Sequence, residues 1–245
     1  MVLKNKRALI TGASSGIGQA IAISLAREGC NIIFTYNKNS KGASQTEKSI
    51  NKYNVKTTSV KVDLSKKSDI EKLFSQIEKK YEKIDILINN AGINKGGELL
   101  DPSFWRMLFE IDLFSIVSCI NKSIKFMEKG SKILNITSCY GEEKGGYKGL
   151  IAYSAAKAAL NSLTRTLAKH LAPNIYVNAV APGYVDTPLW GNLTDEQKAI
   201  EGKDQLIERM IEPEEIANMA VAVLKNDAVN GEVIQVDGGI LLKTV

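Results

Sequence analysis

The stretch "ALITGASSGIGQAIA", residues 8–22, carries three glycines, Gly12, Gly16 and Gly18, between a short β-rich run and a helical one. After the turn, Ile17, Ile21 and Leu25 recur at i, i+4 and i+8, the face of a helix predicted over residues 16–28. Gly12 permits a tight exit from the strand. Gly16 and Gly18 let a phosphate and the sheet approach the backbone, with the N–H groups of the helix start facing the anion. A glycine-rich turn elsewhere is only a tight loop. Leaving a first strand and opening an amphipathic helix, it is a dinucleotide-binding signal, and Ser14, Ser15 and Ile17 join the three glycines as candidate contacts.

Working outward, strand-like runs are "RALIT" (7–11), "NIIFTY" (31–36), "TTSVKVDL" (57–64), "DILINNAG" (85–92), "KILNITS" (132–138), "IYVNAVAPG" (175–183) and "EVIQVDGG" (232–239). Helical patterns fall at 16–28, 68–80, 101–128, 150–170 and 214–224. Strand and helix in repeated alternation predict a parallel sheet with helices on both faces. The third and last strands read as too apolar on both sides for an exposed antiparallel sheet. No composition break, internal repeat or low-complexity tract divides the chain. The expectation is one doubly wound α/β domain over residues 1–245, with a mostly parallel seven-stranded sheet. Residues 187–212, broken by Pro188, Trp190, Gly191 and Gly202, are the one irregular segment. A segment of that length in a compact domain is a lid, a substrate loop or a plain surface excursion.

The bulk numbers are those of an ordinary globular chain, 245 residues with 44% hydrophobic and 24% charged, long enough for a substantial core. The net charge of +5 comes from lysines scattered among glutamates. Nucleic acid as a partner calls for a concentrated basic stripe instead. No apolar run approaches the ~18 residues of a membrane span, and no signal-peptide core precedes the first strand. Cys30, Cys119 and Cys139 form no pair or framework, which suits a reducing cytoplasm. A single histidine, His170, and no cysteine cluster argue against a metal site and a histidine triad.

The end of the second strand, "FTYNKN", bears on the choice of nicotinamide cofactor. An acidic residue there would accept from the adenosine ribose and repel a 2′-phosphate. Tyr36, Asn37 and Lys38 stand in its place, which favours NADP(H), with NAD(H) the alternative. Lys38 reads equally as a phosphate contact or a solvated turn lysine. Asp63 reads equally as an acceptor for the adenine amino group, beside Leu64, or as an acid favoured by a helix N-terminus.

In "IAYSAAKAAL" (151–160), helical spacing puts Tyr153 and Lys157 one turn apart on one face. The pair reads either as two amphipathic side chains reaching water or as a phenol tuned by an ammonium for proton transfer.

Six short motifs in order now resemble the classical short-chain dehydrogenases/reductases over nearly the whole chain: "TGASSGIG" (11–18), "NNAG" (89–92), "NITS" ending at Ser138, "YSAAK" (153–157), "APGYVDT" (181–187) and "VDGG" (236–239). The pattern is nearest that of bacterial 3-oxoacyl-(acyl-carrier-protein) reductases. The resemblance implies a Rossmann-type fold and reversible hydride transfer between NAD(P)H and a carbonyl or secondary alcohol. It makes Tyr153 the general acid or base and Ser138 the holder of the substrate oxygen. Lys157 would bind the nicotinamide ribose and depress the tyrosine pKa. Asn89, Ala91 and Gly92 would line the cofactor, and Pro182, Gly183, Val185 and Thr187 would lie at its nicotinamide end. Lowering a phenol from ~10 to ~7 takes about 4 kcal/mol. A cation about 4 Å away supplies about that at an effective dielectric near 20.

Two departures stand out. The family places an asparagine in the long helix before Ser138, where "FEIDLFS" offers Asp112. An aspartate keeps shape and acceptor, loses the amide donor and adds charge. Asp112 therefore joins Ser138, Tyr153 and Lys157 in the candidate catalytic set, with an altered relay expected. The segment from Ser138 to Tyr153 is about two residues longer than is common in the family. Its glycines suggest a flexible wall from which Tyr140 or Tyr147 reaches the substrate.

The expected substrate is a small-molecule or carrier-bound carbonyl, with acyl carrier protein a partner through Lys129, Lys132 and Lys169 at the site mouth. The alternatives are a dehydrogenase of a small sugar, polyol or other alcohol, and a non-catalytic nucleotide-binding regulator. Phe104, Trp105, Phe109 and Phe114 with Leu160, Leu163 and Leu167 exceed what one sheet face needs. A homo-oligomer, tetramer or dimer, is the expectation.

Overall fold

The structure is a computed structural model that describes residues 1–97 and 100–243. Positions 98, 99, 244 and 245 of the expected 1–245 domain lie outside the described residues. Seven strands, β1 (Arg7–Ile10), β2 (Asn31–Tyr36), β3 (Thr57–Lys61), β4 (Ile86–Asn89), β5 (Ser131–Ile136), β6 (Ile175–Pro182) and β7 (Val233–Val236), form one sheet in the order β3-β2-β1-β4-β5-β6-β7. Every adjacent pair is parallel, so the sheet goes beyond the mostly parallel one expected.

The helices are α1 (Gly16–Arg27), α2 (Ser40–Ile50), α3 (Lys67–Lys80), α4 (Pro102–Phe109), α5 (Ser115–Ser123), α6 (Ile151–Leu171), α7 (Asp195–Gly202) and α8 (Pro213–Lys225). Strand side chains alternate between two apolar layers, the period of two that pleating imposes. Ala8 and Ile10 of β1 pack with Ile21 and Leu25 of α1 and Ile216 and Ala220 of α8. Leu9, between them, joins the opposite layer with Leu73 and Phe74 of α3, Ile116 of α5 and Leu160 of α6.

Three details depart from the sequence pattern. β3 and β7 are only partly buried, because they are the two edges of the sheet and each has one ladder neighbour. The α2 helix has no apolar periodicity to announce it. Its inward positions are Ala43, Thr46 and Ile50, and the Asn39 side chain caps it by accepting from the Gly42 N–H at 2.9 Å. The expected long helix over 101–128 breaks into α4, a π-helical turn at Glu110–Phe114, α5 and a 3-10 turn at Ile124–Phe126. Such π turns cluster at functional sites, and this one holds Asp112.

The irregular segment 187–212 contains a 3-10 turn at Pro188–Trp190 and the short α7, closed by a capping box between Thr194 and Gln197. Buried Gln205 then grips the backbone of Tyr184 on both sides. It accepts from the Tyr184 N–H at 3.0 Å and donates to the Tyr184 carbonyl at 3.2 Å.

Across the middle of the sheet runs a buried polar chain. Asn89 Nδ2 donates to Asn135 Oδ1, and Asn135 Nδ2 donates to the Thr164 hydroxyl, both at 2.9 Å. Thr164 donates in turn to the Leu160 carbonyl. The chain ties β4 to β5 and β5 to α6, the helix that carries Tyr153. Asn135→Ala strands a donor on Asn89 and an acceptor on Thr164 in the interior. At about 1–3 kcal/mol for each group left unpaired, the expected loss is about 2–6 kcal/mol, checked by urea unfolding.

Candidate active site

Strand order reverses at β1, with β2 on one side and β4 on the other, and crevices at such points open beyond the carboxyl ends of the strands. A cleft of about 830 Å³ lies there. The glycine turn forms its floor. Gly12 and Gly16 have φ of +68° and +56°, values that favour glycine over any residue with a Cβ. A Cβ at Gly12 would stand 2.9 Å from Ala91, and one at Gly16 would stand 3.1 Å from Thr187. The first turn of α1 has no side-chain cap and no acid, so its N–H groups are left to meet an anion.

Neighbouring elements fix the turn. Asn90 Nδ2 donates to the carbonyls of Thr11 (3.0 Å) and Gly12 (2.9 Å), and the Thr46 hydroxyl donates to the Ala13 carbonyl at 3.0 Å. This gives α2 its purpose, since Thr46 and Asn39 hold the outer side of the turn.

At the end of β2, Asn37 and Lys38 line the cleft, both exposed. Asp63 lines it as well and accepts from the hydroxyl (2.7 Å) and N–H (3.2 Å) of Ser65. These bonds, with Lys66 nearby, hold its carboxyl below the usual range. The acid in the first turn of α3 is Asp69, so Asp63 does not stand within that helix.

The opposite half of the cleft holds the titratable cluster. Ser138 leaves the end of β5, Tyr153 and Lys157 lie on α6, and Asp112 comes from the π turn. The Ser138 hydroxyl accepts from the Tyr140 N–H at 3.2 Å and favours the ionised form of the Tyr153 phenol. Lys157 Nζ lies 5.4 Å from the Tyr153 ring centroid, 3.3 Å from the Ile136 carbonyl and 3.4 Å from Asp112 Oδ1. Asp112 is fully buried, and its two oxygens share the Ile93 N–H at 3.2 and 3.3 Å.

Burial pushes the Asp112 carboxyl up against the pull of Lys157. Burial pulls Lys157 down, but Tyr153 and Asp112 together carry it above its ordinary value. For Tyr153 the expected depression is not met in the protein by itself. Burial raises the phenol, Lys157 lowers it, Asp112 raises it again, and the net direction is upward. The expectation counted the ammonium, but neither the burial of the phenol nor the carboxylate behind the ammonium.

Beyond Ser138 the wall is aromatic. Tyr140 donates to the Tyr184 hydroxyl at 2.7 Å, Tyr184 meets the Trp190 ring at 4.9 Å, and all three line the cleft. Tyr147, in the glycine-rich loop, stacks behind Tyr140 at 5.2 Å and is not itself a lining residue. Sequence reasoning missed Tyr184 and Trp190, whose only signal was their place in and after "APGYVDT". It also missed Asn90.

All but two of the candidate catalytic and cofactor-contacting residues line this one cleft. The exceptions are Gly18 and Asn89. Gly18 sits where a Cβ would collide with the Asn90 amide and the Gly12 carbonyl, so it packs the helix onto the strand. Asn89 is turned into the sheet to begin the polar chain, and Asn90 takes the place at the cleft. The lysines expected at the mouth are elsewhere. Lys129 and Lys132 sit at the start of β5, the opposite end of the sheet from Ser138, and Lys132 is buried on Asp227 at 2.7 Å. Lys169 lies sixteen residues along α6 from Tyr153, roughly 24 Å at 1.5 Å per residue. Among the described residues no group of three or more His, Cys, Asp or Glu could hold a metal, and no helix is long and apolar enough to cross a membrane.

A family model described as enoyl-(acyl carrier protein) reductase matches residues 12–241. Among curated relatives, the 3-oxoacyl-(acyl-carrier-protein) reductase of Aquifex aeolicus is 37% identical, covering 97% of this chain and 98% of its own length. The cis-4-hydroxycyclohexanecarboxylate dehydrogenase of Sinomonas cyclohexanicum is 34% identical, covering 95% of each. Among solved structures, a short-chain dehydrogenase from Burkholderia cenocepacia in complex with NADP is 28% identical. It superposes with a TM-score of 0.90 over 98% of this chain and 99% of that one.

Cys139 follows Ser138 but is buried, and its thiol is pushed up to about 12, as are those of Cys30 and Cys119. At pH 8 a thiolate with that value is roughly one part in ten thousand. The native protein is therefore expected to resist thiol reagents at pH 8 and to react at all three cysteines once unfolded, as mass spectrometry would count.

Proposed function

The chain belongs to the short-chain dehydrogenase/reductase family of oxidoreductases, acting between CH–OH and carbonyl groups, and from that premise we propose that it is an NADP(H)-dependent reductase of a ketone. The observation that carries the reading is that Ser138, Tyr153 and buried Lys157 line one cleft, with Lys157 Nζ 5.4 Å from the Tyr153 ring. The cleft fits the dinucleotide. The uncapped α1 start and the Gly12 and Gly16 cradle take the phosphates, Asp63 and Leu64 flank the adenine, and Pro182, Gly183, Val185 and Thr187 border the nicotinamide. When bound, the nicotinamide gives or receives the hydride at the substrate carbon. Ser138 holds the carbonyl oxygen by its hydroxyl, Tyr153 delivers the proton to that oxygen, and Lys157 holds the ribose and stabilises the phenolate left behind.

The preference for NADP(H) over NAD(H) rests on the acid-free end of β2 with Lys38 beside it, and the NADP complex of the Burkholderia neighbour supports it. The Aquifex relative supports a 3-oxoacyl chain on acyl carrier protein as substrate. The aromatic wall of Tyr140, Tyr184 and Trp190 favours a second reading, a small cyclic or short-chain ketone or alcohol held against flat rings, and the Sinomonas relative supports that one. Trp190 and Leu189 bring residues 187–212 into the cleft as the segment that selects the substrate. Intact Ser138, Tyr153 and Lys157 weigh against a non-catalytic regulator. Met107, Phe114 and Val117, exposed along α4, the π turn and α5, support a homo-oligomer built on that face.

Tyr153→Phe is expected to keep dinucleotide affinity, read by NADPH fluorescence, while turnover falls by about 10²–10⁴, the usual worth of a positioned proton donor. Unchanged turnover would sink the assignment. A panel of acetoacetyl-carrier substrate, cyclic ketones and sugars, each with NADPH and NADH, separates the two substrate readings. The expected result is NADPH-dependent ketone reduction with negligible turnover of sugars. NADH preferred throughout would overturn the cofactor assignment.

A further inference from the structure

We propose that Asp112 cancels the charge of Lys157 at Tyr153, keeping Tyr153 a protonated donor through neutral pH and setting the chain to work toward carbonyl reduction. The inference deepens the reading above by giving the same site a direction. It starts from a placement. The π turn at Glu110–Phe114 carries Asp112 into the interior, where the Ile93 N–H anchors both carboxylate oxygens. Gly92 provides the space that the carboxylate occupies, since a Cβ there would collide with Asp112 Oδ1. The carboxylate is thus held 3.4 Å from Lys157 Nζ, with both side chains buried.

Among the described residues, the surroundings of Tyr153 supply no other charge. From α6 comes Lys157, and from the π turn comes Asp112. The end of β5 contributes the Ser138 hydroxyl and the Cys139 thiol, which burial keeps neutral. The apolar packing around Tyr153 is Leu108, Phe104, Trp105 and Phe109 from α4, with Ile93, while Arg106 and Glu110 are exposed. The phenol therefore sees one ammonium and one carboxylate, a pair with little net field at a distance. An asparagine of the same shape would leave the ammonium unopposed.

The consequence follows from proton bookkeeping. In reduction, the Tyr153 O–H bond breaks as the O–H bond of the product alcohol forms. The carbonyl carbon gains the hydride that the reduced dinucleotide gives up, and solvent later returns a proton to the phenolate. In oxidation, Tyr153 must begin as phenolate, which a neutral Lys157–Asp112 pair disfavours until the pH is alkaline. Removing one opposing charge about 6–12 Å away moves a titration by about one to two pH units at an effective dielectric near 20.

The test needs neither substrate nor dinucleotide. Ultraviolet tyrosinate titration of the cofactor-free protein, minus that of Tyr153→Phe, isolates Tyr153 from the other tyrosines. Tyr153 is expected to titrate at or above the ordinary phenol value of ~10, and Asp112→Asn to bring it down by about one to two units. The alkaline limb of alcohol oxidation should descend by the same amount. A wild-type Tyr153 already ionised at neutral pH overturns the proposal, and so does an Asp112→Asn protein whose titration stays in place. If Asp112→Asn does not fold, the wild-type titration alone decides. Because the titration is independent of turnover, a failure to find the substrate leaves its outcome standing.

Discussion

The seam between β1 and β4 governs everything at the cleft. The ladder of these two parallel strands ends at Ile10 and Ile88, and side chains carry the joint further. The Thr11 N–H donates to the Ile88 carbonyl, while the Thr11 hydroxyl accepts from the N–H groups of both Asn90 and Ala91 at 3.0 Å. Asn90 answers by donating to the carbonyls of Thr11 and Gly12. Two adjacent strands that would diverge at the reversal of strand order are thereby locked edge to edge. The glycine turn and "NNAG" face each other across a fixed gap. Without that lock, Gly12 could not lie against Ala91, and the start of α1 would have no defined direction.

What could be read from the sequence was whatever is local. A glycine turn between a strand and a helix carries its chemistry within eleven residues, and the two-residue alternation of Ala8, Leu9 and Ile10 is a property of a single strand. What could not be read depends on neighbours far along the chain. The α2 helix shows no apolar stripe because half of its inward surface is hydrogen bonding from Thr46 and Asn39 to the turn. Asn89 and Asn90 are adjacent and chemically identical, and only the pleat decides that one enters the sheet and the other the cleft. The lysines near the mouth were assigned by count, but Lys132 belongs to the opposite end of the strand that delivers Ser138. The edge positions of β3 and β7 follow from strand order, which hydrophobicity alone does not give.

The π turn is the sharpest case. The pattern over 101–128 is that of a continuous helix, and an extra residue in one turn leaves no trace in composition. Yet that residue decides which side chain enters the active site, since a regular helix would direct the carboxylate of "FEIDLFS" differently relative to α6. The wider turn thus brings a buried contact with Lys157. A buried ion pair is weak support for stability, because desolvation of both groups offsets most of their attraction. Its retention is better explained by what it does to the third group nearby.

That third group shows why a pairwise reading of Tyr-x-x-x-Lys is incomplete. An ammonium one helical turn from a phenol suffices to shift it only when the ammonium is uncompensated. Here Lys157 divides its hydrogen bonding between the Ile136 carbonyl and Asp112, and the Ser138 hydroxyl is the one remaining contact that favours the phenolate. The resulting site keeps the phenol in its protonated form and disfavours the phenolate from which oxidation must begin. Such a balance suits a ketone, whose oxygen gains basicity as hydride arrives, more than an alcohol that must be deprotonated first. The end of β2, with Lys38 exposed beside it, carries no acid that would oppose an added phosphate.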